Sequence, residues 1–139
     1  MDRDPDCIFC KIIAGDIPSE IVFEDEHCIA IMDIAPVAPG HILLIPKIHV
    51  EIIDQLADES ASMVLASLPR LVRTVRQATR CEGINVLQNN GMVAGQLVPH
   101  VHFHIIPRNS GDAFEYNWPA REYGEGEMKK VAAEIRAGL

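Results

Sequence analysis

Three histidines alternate with apolar residues in the segment 99–108, whose sequence is PHVHFHIIPR. Successive side chains of a strand point to opposite faces, so His100, His102 and His104 (the histidine row) are expected to share one face. Imidazoles are costly to bury without polar partners, and near neutral pH they serve as metal ligands, nucleophiles or acid–base groups. The row therefore predicts either a metal site or a catalytic site. A surface strand that carries histidines by chance is the remaining interpretation.

A loop rich in glycine and amides precedes the histidine row. Its sequence from Asn89 to Gln96 is NNGMVAGQ. Glycines let backbone N–H groups approach an anion closely, and successive N–H groups form an anion-binding nest. Asn-Gly is also an ordinary hairpin turn, which is the structural alternative. The loop and the histidine row together predict a phosphorus-containing substrate.

The four cysteines divide into a close pair and two single residues. Cys7 and Cys10 have the C-x-x-C spacing of a zinc knuckle. We predict that His49 and His100 complete a structural zinc site with them, since a closed tetrahedral site needs two further ligands. A redox pair lacks its usual sequence context here, and uncoordinated thiols are the other alternative. Cys28 and Cys81 are expected to be buried free thiols.

Composition predicts one domain over residues 1–139, with a core at about 7–108 and a tail at 109–139. The chain is 48% hydrophobic and carries a formal net charge of −8, which disfavours binding to nucleic acid or to an anionic membrane. No apolar run approaches the roughly 20 residues of a membrane span. The acidic start of the chain is unlike a secretory signal. We therefore expect a cytoplasmic protein in a reducing compartment.

The hydrophobic pattern predicts an α+β fold with a mainly antiparallel sheet. Strands are expected at residues 20–24, 28–33, 41–45, 84–88 and 100–106. One long amphipathic helix is expected over 58–80, kinked near 65–68 because Pro69 removes a helical hydrogen bond. Shorter helical segments are expected at 11–17 and 125–137.

These motifs resemble the histidine triad (HIT) superfamily of nucleotide hydrolases and transferases. The likeness runs from Cys7 to about Arg108, and His100–Ile106 fully matches the alternating histidine motif. Other matching segments are IFCKII, FED, DIAP, GHILLIPK and the 89–96 loop. The C-x-x-C pair with His49 looks like that of zinc-carrying bacterial members. The resemblance implies a five-stranded sheet, joined to a second copy in a homodimer across the long helix and adjoining strands.

The resemblance also implies a mechanism. The middle histidine, His102, would attack the α-phosphorus of a purine nucleotide derivative resembling AMP or GMP. The nucleotidyl-histidine intermediate would then be hydrolysed to a nucleoside monophosphate. His104 and His41 would contact the phosphate or assist the leaving group. A nucleotide-binding regulatory dimer with weak catalysis and a nucleotidyl transferase are the alternative functions, since all three can share the motif.

Further binding roles follow from the same resemblance. Asp33 would accept hydrogen bonds from the ribose, although it could equally cap a turn. Phosphate-binding positions would be Asn89, Gly95 and Gln96, of which the two amides could instead satisfy local backbone groups. The base would enter an apolar slot made by Phe9, Ile12, Ile31 and Ile34, of which Ile31 and Ile34 could be ordinary core. If His100 binds zinc, its side chain cannot also transfer protons. Leu97 departs from the polar residue that many relatives carry after the glutamine.

Overall fold

The computed structural model describes residues 3–115 and 117–139. Its five strands are β1 (Ile21–Glu24), β2 (Cys28–Met32), β3 (Ile42–Pro46), β4 (Gly83–Gln88) and β5 (Phe103–Arg108). Its α-helices are α1 (Ile8–Ala14), α2 (Asp58–Leu65), α3 (Leu68–Thr79) and α4 (Glu127–Ala137). The strands form one antiparallel sheet in the order β1-β2-β3-β5-β4. The predicted α+β class and five-stranded sheet are confirmed.

The sheet separates two apolar clusters. On one face Val101, Phe103 and Ile105 pack with Leu71 and Val75 of α3. On the other face lies a second cluster of buried side chains, which comprises Cys7, Phe9, Cys10, Ile29, Ile31, Leu43 and Ile45. The residues that alternate with the histidines therefore cover the helical core, which leaves the histidine row for the face that α1 covers.

Two predicted elements differ from the structure. The strand predicted at 100–106 begins only at Phe103, so His100 and His102 lie in the segment before β5, with His100 in a bend. The predicted kinked helix is two helices, interrupted at Ala66 and Ser67. Pro69 explains the interruption, because it occupies the first turn of α3, where a missing N–H costs nothing.

Of the two terminal helices, α1 is shifted from its predicted position and α4 is not. α1 begins at Ile8 rather than Lys11 because Cys7 caps its N-terminus: the Cys7 sulfur accepts the Cys10 N–H at 3.4 Å. It ends at Gly15, whose φ of +83° is the left-handed cap typical of glycine. α4 lies within the segment predicted for it. None of the described helices is long and apolar enough to cross a membrane.

Gly40 brings the loop before His41 close to the end of α3. Its φ is +95°, and a Cβ built there would lie 2.4 Å from Thr79 Cγ2 and 3.3 Å from Pro107 Cγ. A side chain at this position would be strained and would also overlap its neighbours.

We expect Gly40→Ala to lower the melting temperature through two costs. Overlap with Thr79 should cost about 1–3 kcal/mol, in addition to about 1–2 kcal/mol for a left-handed alanine. Gly15→Ala is the matched control, because Gly15 has φ +83° but no atom within 4 Å of the added Cβ. Thermal melts that show equal losses for both variants would contradict this account of Gly40.

Candidate active site and metal centre

The side chain of His102 is held in one tautomer. Its Nδ1 lies 2.7 Å from the backbone carbonyl oxygen of His100. A carbonyl oxygen can only accept, so Nδ1 carries the ring proton and Nε2 keeps its lone pair. Burial lowers the pKa of His102 below its ordinary value, against opposing effects of the His100 carbonyl and Asp33. The ring is therefore a neutral imidazole at neutral pH, with its free nitrogen available as a nucleophile.

His41 and His104 form a second hydrogen-bonded unit beside it. The backbone N–H of Val37 donates to His41 Nδ1 at 3.0 Å, so the proton of a neutral His41 must lie on Nε2. That N–H faces His104 Nδ1 at 2.9 Å and an Asp33 carboxylate oxygen at 3.4 Å. His104 accepts at Nδ1 and consequently carries its own proton on Nε2. The pair can thus present an N–H donor.

Burial also lowers the pKa values of both rings in this pair. The pKa of His104 falls to about 4, because burial and the nearby His102 and His41 outweigh Asp33. The pKa of His41 falls below its ordinary value because burial outweighs the attraction of Asp33. Neutral rings at pH 7 are consistent with the donor and acceptor assignments above.

Three ligand atoms from Asp33, His41 and His104 lie within 4.8 Å of one another, a spacing that a metal ion could use. The Val37 N–H occupies the Nδ1 lone pair of His41, however, so Nε2 holds the proton and has no lone pair to offer. A cation there would require an imidazolate. The three groups are better suited to hydrogen bonding and proton transfer than to metal binding.

Asp33 has the turn-capping role that was the alternative to ribose binding. One of its carboxylate oxygens accepts the backbone N–H of Ala35 at 2.8 Å, and the other is the oxygen near His41. Three of the four predicted slot residues lie together: Phe9 and Ile31 are buried in one cluster, and Ile12 packs against it. Ile34 is 95% exposed and is not part of that buried cluster.

The 89–96 loop is held in place by Gln96. Its amide oxygen accepts the Gly91 N–H at 2.7 Å, and its amide nitrogen donates to the carbonyls of Glu51 and Val98 at 2.7 and 3.0 Å. Both amide hydrogens are thus used by the backbone, which is the structural role considered for Gln96 in the sequence. The side chain positions the loop in this structure rather than offering a donor to phosphate.

Asn89 and Gly95 lie together at the end of β4. Gln88 pairs with Phe103 across the sheet, so Asn89 follows at the level of His102. Gly95 has φ +94°, and a Cβ there would lie 3.5 Å from the Asn89 amide nitrogen. Leu97 is 90% exposed on the same loop. The loop therefore brings an amide and close backbone groups beside His102.

The four predicted zinc ligands converge. His100 Nδ1 lies 3.3 Å from Cys7 Sγ, 3.7 Å from Cys10 Sγ and 3.2 Å from His49 Nδ1, and Cys10 Sγ lies 3.4 Å from His49 Nδ1. His100 Nε2 donates to the Pro46 carbonyl at 2.8 Å, which leaves the Nδ1 lone pair directed at the cluster. Two thiols and two imidazole nitrogens form the donor set that Zn²⁺ prefers. We call these four residues the Cys/His cluster.

The HIT domain family model matches residues 14–111 of the chain. The chain belongs to the HIT family. It is 45% identical over 134 residues to the adenosine 5′-monophosphoramidase hnt1 of Schizosaccharomyces pombe, covering 96% of this chain and 98% of that protein. The resemblance predicted from the sequence is confirmed.

Solved structures of HIT proteins share the fold. A HIT family member from Bacillus subtilis matches with a TM-score of 0.92 at 43% identity, covering 96% of this chain and 97% of that one. A Zn-bound histidine triad family protein from Mycobacterium smegmatis matches with a TM-score of 0.74 at 32% identity, covering 96% and 98%.

Sequence reasoning missed the groups that orient the rings of this HIT protein. The Val37 N–H and the carbonyls of Pro46 and His100 are backbone groups, for which side-chain identity gives no signal. Asp4 was also missed: its carboxylate lies 3.9 Å from His49 Nε2. The acidic residues just before Cys7 were the available signal, because metal-bound histidines commonly place a carboxylate near the second ring nitrogen.

The low pKa of His104 predicts an acid-sensitive fold. Between about pH 6.5 and pH 4 the unfolded chain takes up a proton at this residue while the folded chain does not, so stability falls as pH falls through that window. His104→Gln removes the titrating ring. We expect its melting temperature to decline less steeply than that of the wild type between pH 6.5 and 4. Parallel curves from thermal melts would show that His104 contributes nothing to the pH dependence.

Proposed function

We propose that this HIT protein is a hydrolase of purine nucleotide phosphoramidates or dinucleoside polyphosphates that cleaves at the α-phosphorus. The observation that carries the proposal is the fixed tautomer of His102, which leaves Nε2 unprotonated in a buried site. Neutral imidazole is an effective nucleophile near pH 7, and a covalent intermediate divides one difficult displacement into two steps. The name of the S. pombe relative supports the phosphoramidate substrate class.

In the first step, His102 Nε2 forms a bond to the α-phosphorus, and the bond from phosphorus to the leaving group breaks. A phosphoramidate nitrogen that carries an extra proton leaves as the neutral amine, and a nucleotide leaving group departs as its anion; in either case the His104 Nε2–H donates a hydrogen bond to the leaving group and keeps its proton. In the second step, water attacks the nucleotidyl-histidine, its proton passes to the departed leaving group or to solvent, and the phosphorus–nitrogen bond breaks to restore Nε2 of His102. The products are a nucleoside monophosphate and the leaving group. His41 keeps His104 in the tautomer that donates.

The remaining predicted residues would bind the phosphate, the ribose and the base of the substrate. We place the phosphate against Asn89 and the backbone at Gly95, where donors can stabilise developing charge. We place the ribose at Asp33 and the base against Phe9, Ile12, Ile31 and Ile34. Gln96 contributes by holding the 89–96 loop in place. Assaying adenosine phosphoramidate and diadenosine polyphosphates side by side with purified protein tests the substrate class, and turnover of neither would contradict it.

Replacing the nucleophile tests the covalent mechanism. We expect His102→Asn to lower kcat by several orders of magnitude, as in other covalent enzymes that lose their nucleophile, with nucleotide affinity largely kept. His27→Asn is the control, because His27 lies in the turn between β1 and β2 and belongs neither to the Cys/His cluster nor to the Asp33, His41 and His104 group. Steady-state kinetics and equilibrium binding of AMP measure the two effects. Near-native turnover by His102→Asn would exclude the mechanism.

We propose that the Cys/His cluster binds a structural zinc ion. The ligands would come from the start of α1, the segment after β3 and the segment before β5, so the ion would fasten the N-terminal region to the sheet. Four protein ligands leave no open position for activating water. The ion bound by the M. smegmatis relative supports zinc as the metal.

The structural role predicts separable effects of removing the ligands. Cys7→Ser combined with Cys10→Ser should abolish zinc content and lower the melting temperature, while turnover well below that temperature falls much less than in His102→Asn. Cys81→Ser, a buried thiol outside the cluster, should retain zinc. Elemental analysis, thermal melts and kinetics decide the matter. A folded double variant as inactive as His102→Asn would contradict a purely structural metal.

We also propose that the protein is a homodimer. β4 is an edge strand with unpaired backbone groups, Val86 on it is 42% exposed, and α3 packs beside it. Light scattering at micromolar concentration should give a mass near twice 15.4 kDa, and a mass of one chain would contradict the dimer. A cytoplasmic location stays a prediction.

A further inference from the structure

Phe9 lies between the Cys/His cluster and the nucleophile. It stands between Cys7 and Cys10 in the sequence and is 6% exposed. Its ring centre is 5.8 Å from that of His100 with an interplanar angle of 78°, and 5.1 Å from that of His102 at 74°. Both are edge-to-face contacts, an arrangement that aromatic rings favour over face-to-face stacking. One phenyl ring thus contacts a predicted metal ligand and the proposed nucleophile.

A second connection joins the same two groups. The ring of His100 lies in the Cys/His cluster, while its backbone carbonyl accepts the Nδ1–H of His102 at 2.7 Å. His100 is completely buried, and its Nε2–H is anchored on Pro46. Any movement of His100 would therefore move the acceptor that fixes the tautomer of His102.

The His102 ring is confined on two sides. Phe9 contacts it from α1, and His104 contacts it along the chain, with ring centres 5.0 Å apart at 61°. The hydrogen bond to the His100 carbonyl fixes one edge of the ring but does not prevent it from tilting about that bond. The Phe9 ring limits this motion. A misdirected Nε2 would lower the rate because catalysis depends on alignment of the reacting atoms.

We propose that Phe9 is a positioning residue. Through its contacts with His100 and His102 it couples the position of the His102 ring to that of the Cys/His cluster, and it keeps Nε2 directed at the α-phosphorus. This role rests on the proposed function of His102 and differs from a contact with the base. A base contact alone would affect KM, whereas a positioning residue affects kcat.

The kinetic test compares two phenylalanines of equal burial. Phe9→Leu removes the ring beside His102, and Phe103→Leu removes a 5% exposed ring on the opposite face of the sheet. We expect Phe9→Leu to lower kcat by about 2- to 10-fold, the range corresponding to loss of one aromatic pair. KM should stay nearly unchanged, because leucine keeps an apolar surface for the base. Phe103→Leu should keep kcat within about twofold of the wild type. A raised KM with unchanged kcat in Phe9→Leu would overturn the proposal, as would equal losses of kcat in both variants.

A spectroscopic test does not depend on turnover. The His102 Nδ1–H should give a slowly exchanging NMR signal in the wild type and in Phe103→Leu, and a broadened or faster-exchanging one in Phe9→Leu. Zinc content should be equal in all three proteins, which separates the ring contact from loss of the metal. Unchanged His102 signals in Phe9→Leu would overturn the proposal.

Two controls keep the outcomes distinct. If Phe9→Leu does not fold, as judged by thermal melting, Phe9→Met fills a similar volume without an aromatic ring and is measured in its place. Turnover retained by His102→Asn would refute the proposed function, whereas the NMR comparison would still report whether Phe9 orders the His102 ring.

Discussion

The hydrogen bond from His102 Nδ1 to the carbonyl of His100 is the constraint on which the rest of the site depends. It assigns the ring proton to Nδ1 and thereby frees Nε2. His100 therefore serves two sites: its carbonyl accepts the His102 proton, and its side chain lies in the Cys/His cluster. The short segment before β5 must hold the side chain of His100 in the cluster and its carbonyl toward His102 at the same time, and the packing of Val101 in the apolar core on the opposite face stabilises it there.

Backbone groups assign the tautomers of the other rings as well. The Pro46 carbonyl fixes His100, and the Val37 N–H fixes His41, which in turn fixes His104. Burial keeps these rings neutral by lowering their pKa values. A site built this way needs few charged side chains. The protonation of these rings also depends on the backbone. A shift of the loop before His41 or of the end of β3 would change which nitrogen of His41 or His100 carries the proton.

Side-chain patterns predicted much of this arrangement. Alternation placed the three histidines together, and the spacing of Cys7 and Cys10 identified two members of the Cys/His cluster. These features depend on residue type and period, which a sequence displays directly.

Other features depended on contacts that a sequence does not display. The interruption at Ser67 arises because Pro69 suits a new first turn better than a kink. Gln96 was assigned to phosphate by resemblance, yet its amide meets three backbone groups brought from two segments. Ile34 is exposed in the turn that Asp33 caps by accepting the N–H of Ala35.

Trapping the covalent intermediate shows whether His102 is the nucleophile. Wild-type protein is mixed with an adenosine phosphoramidate, quenched within one turnover, digested and analysed by mass spectrometry. We expect a nucleoside monophosphoryl group on Nε2 of His102, in the peptide that carries the histidine row. Rapid product formation with no adduct at any time, or an adduct on His104 or His41 instead, would contradict it.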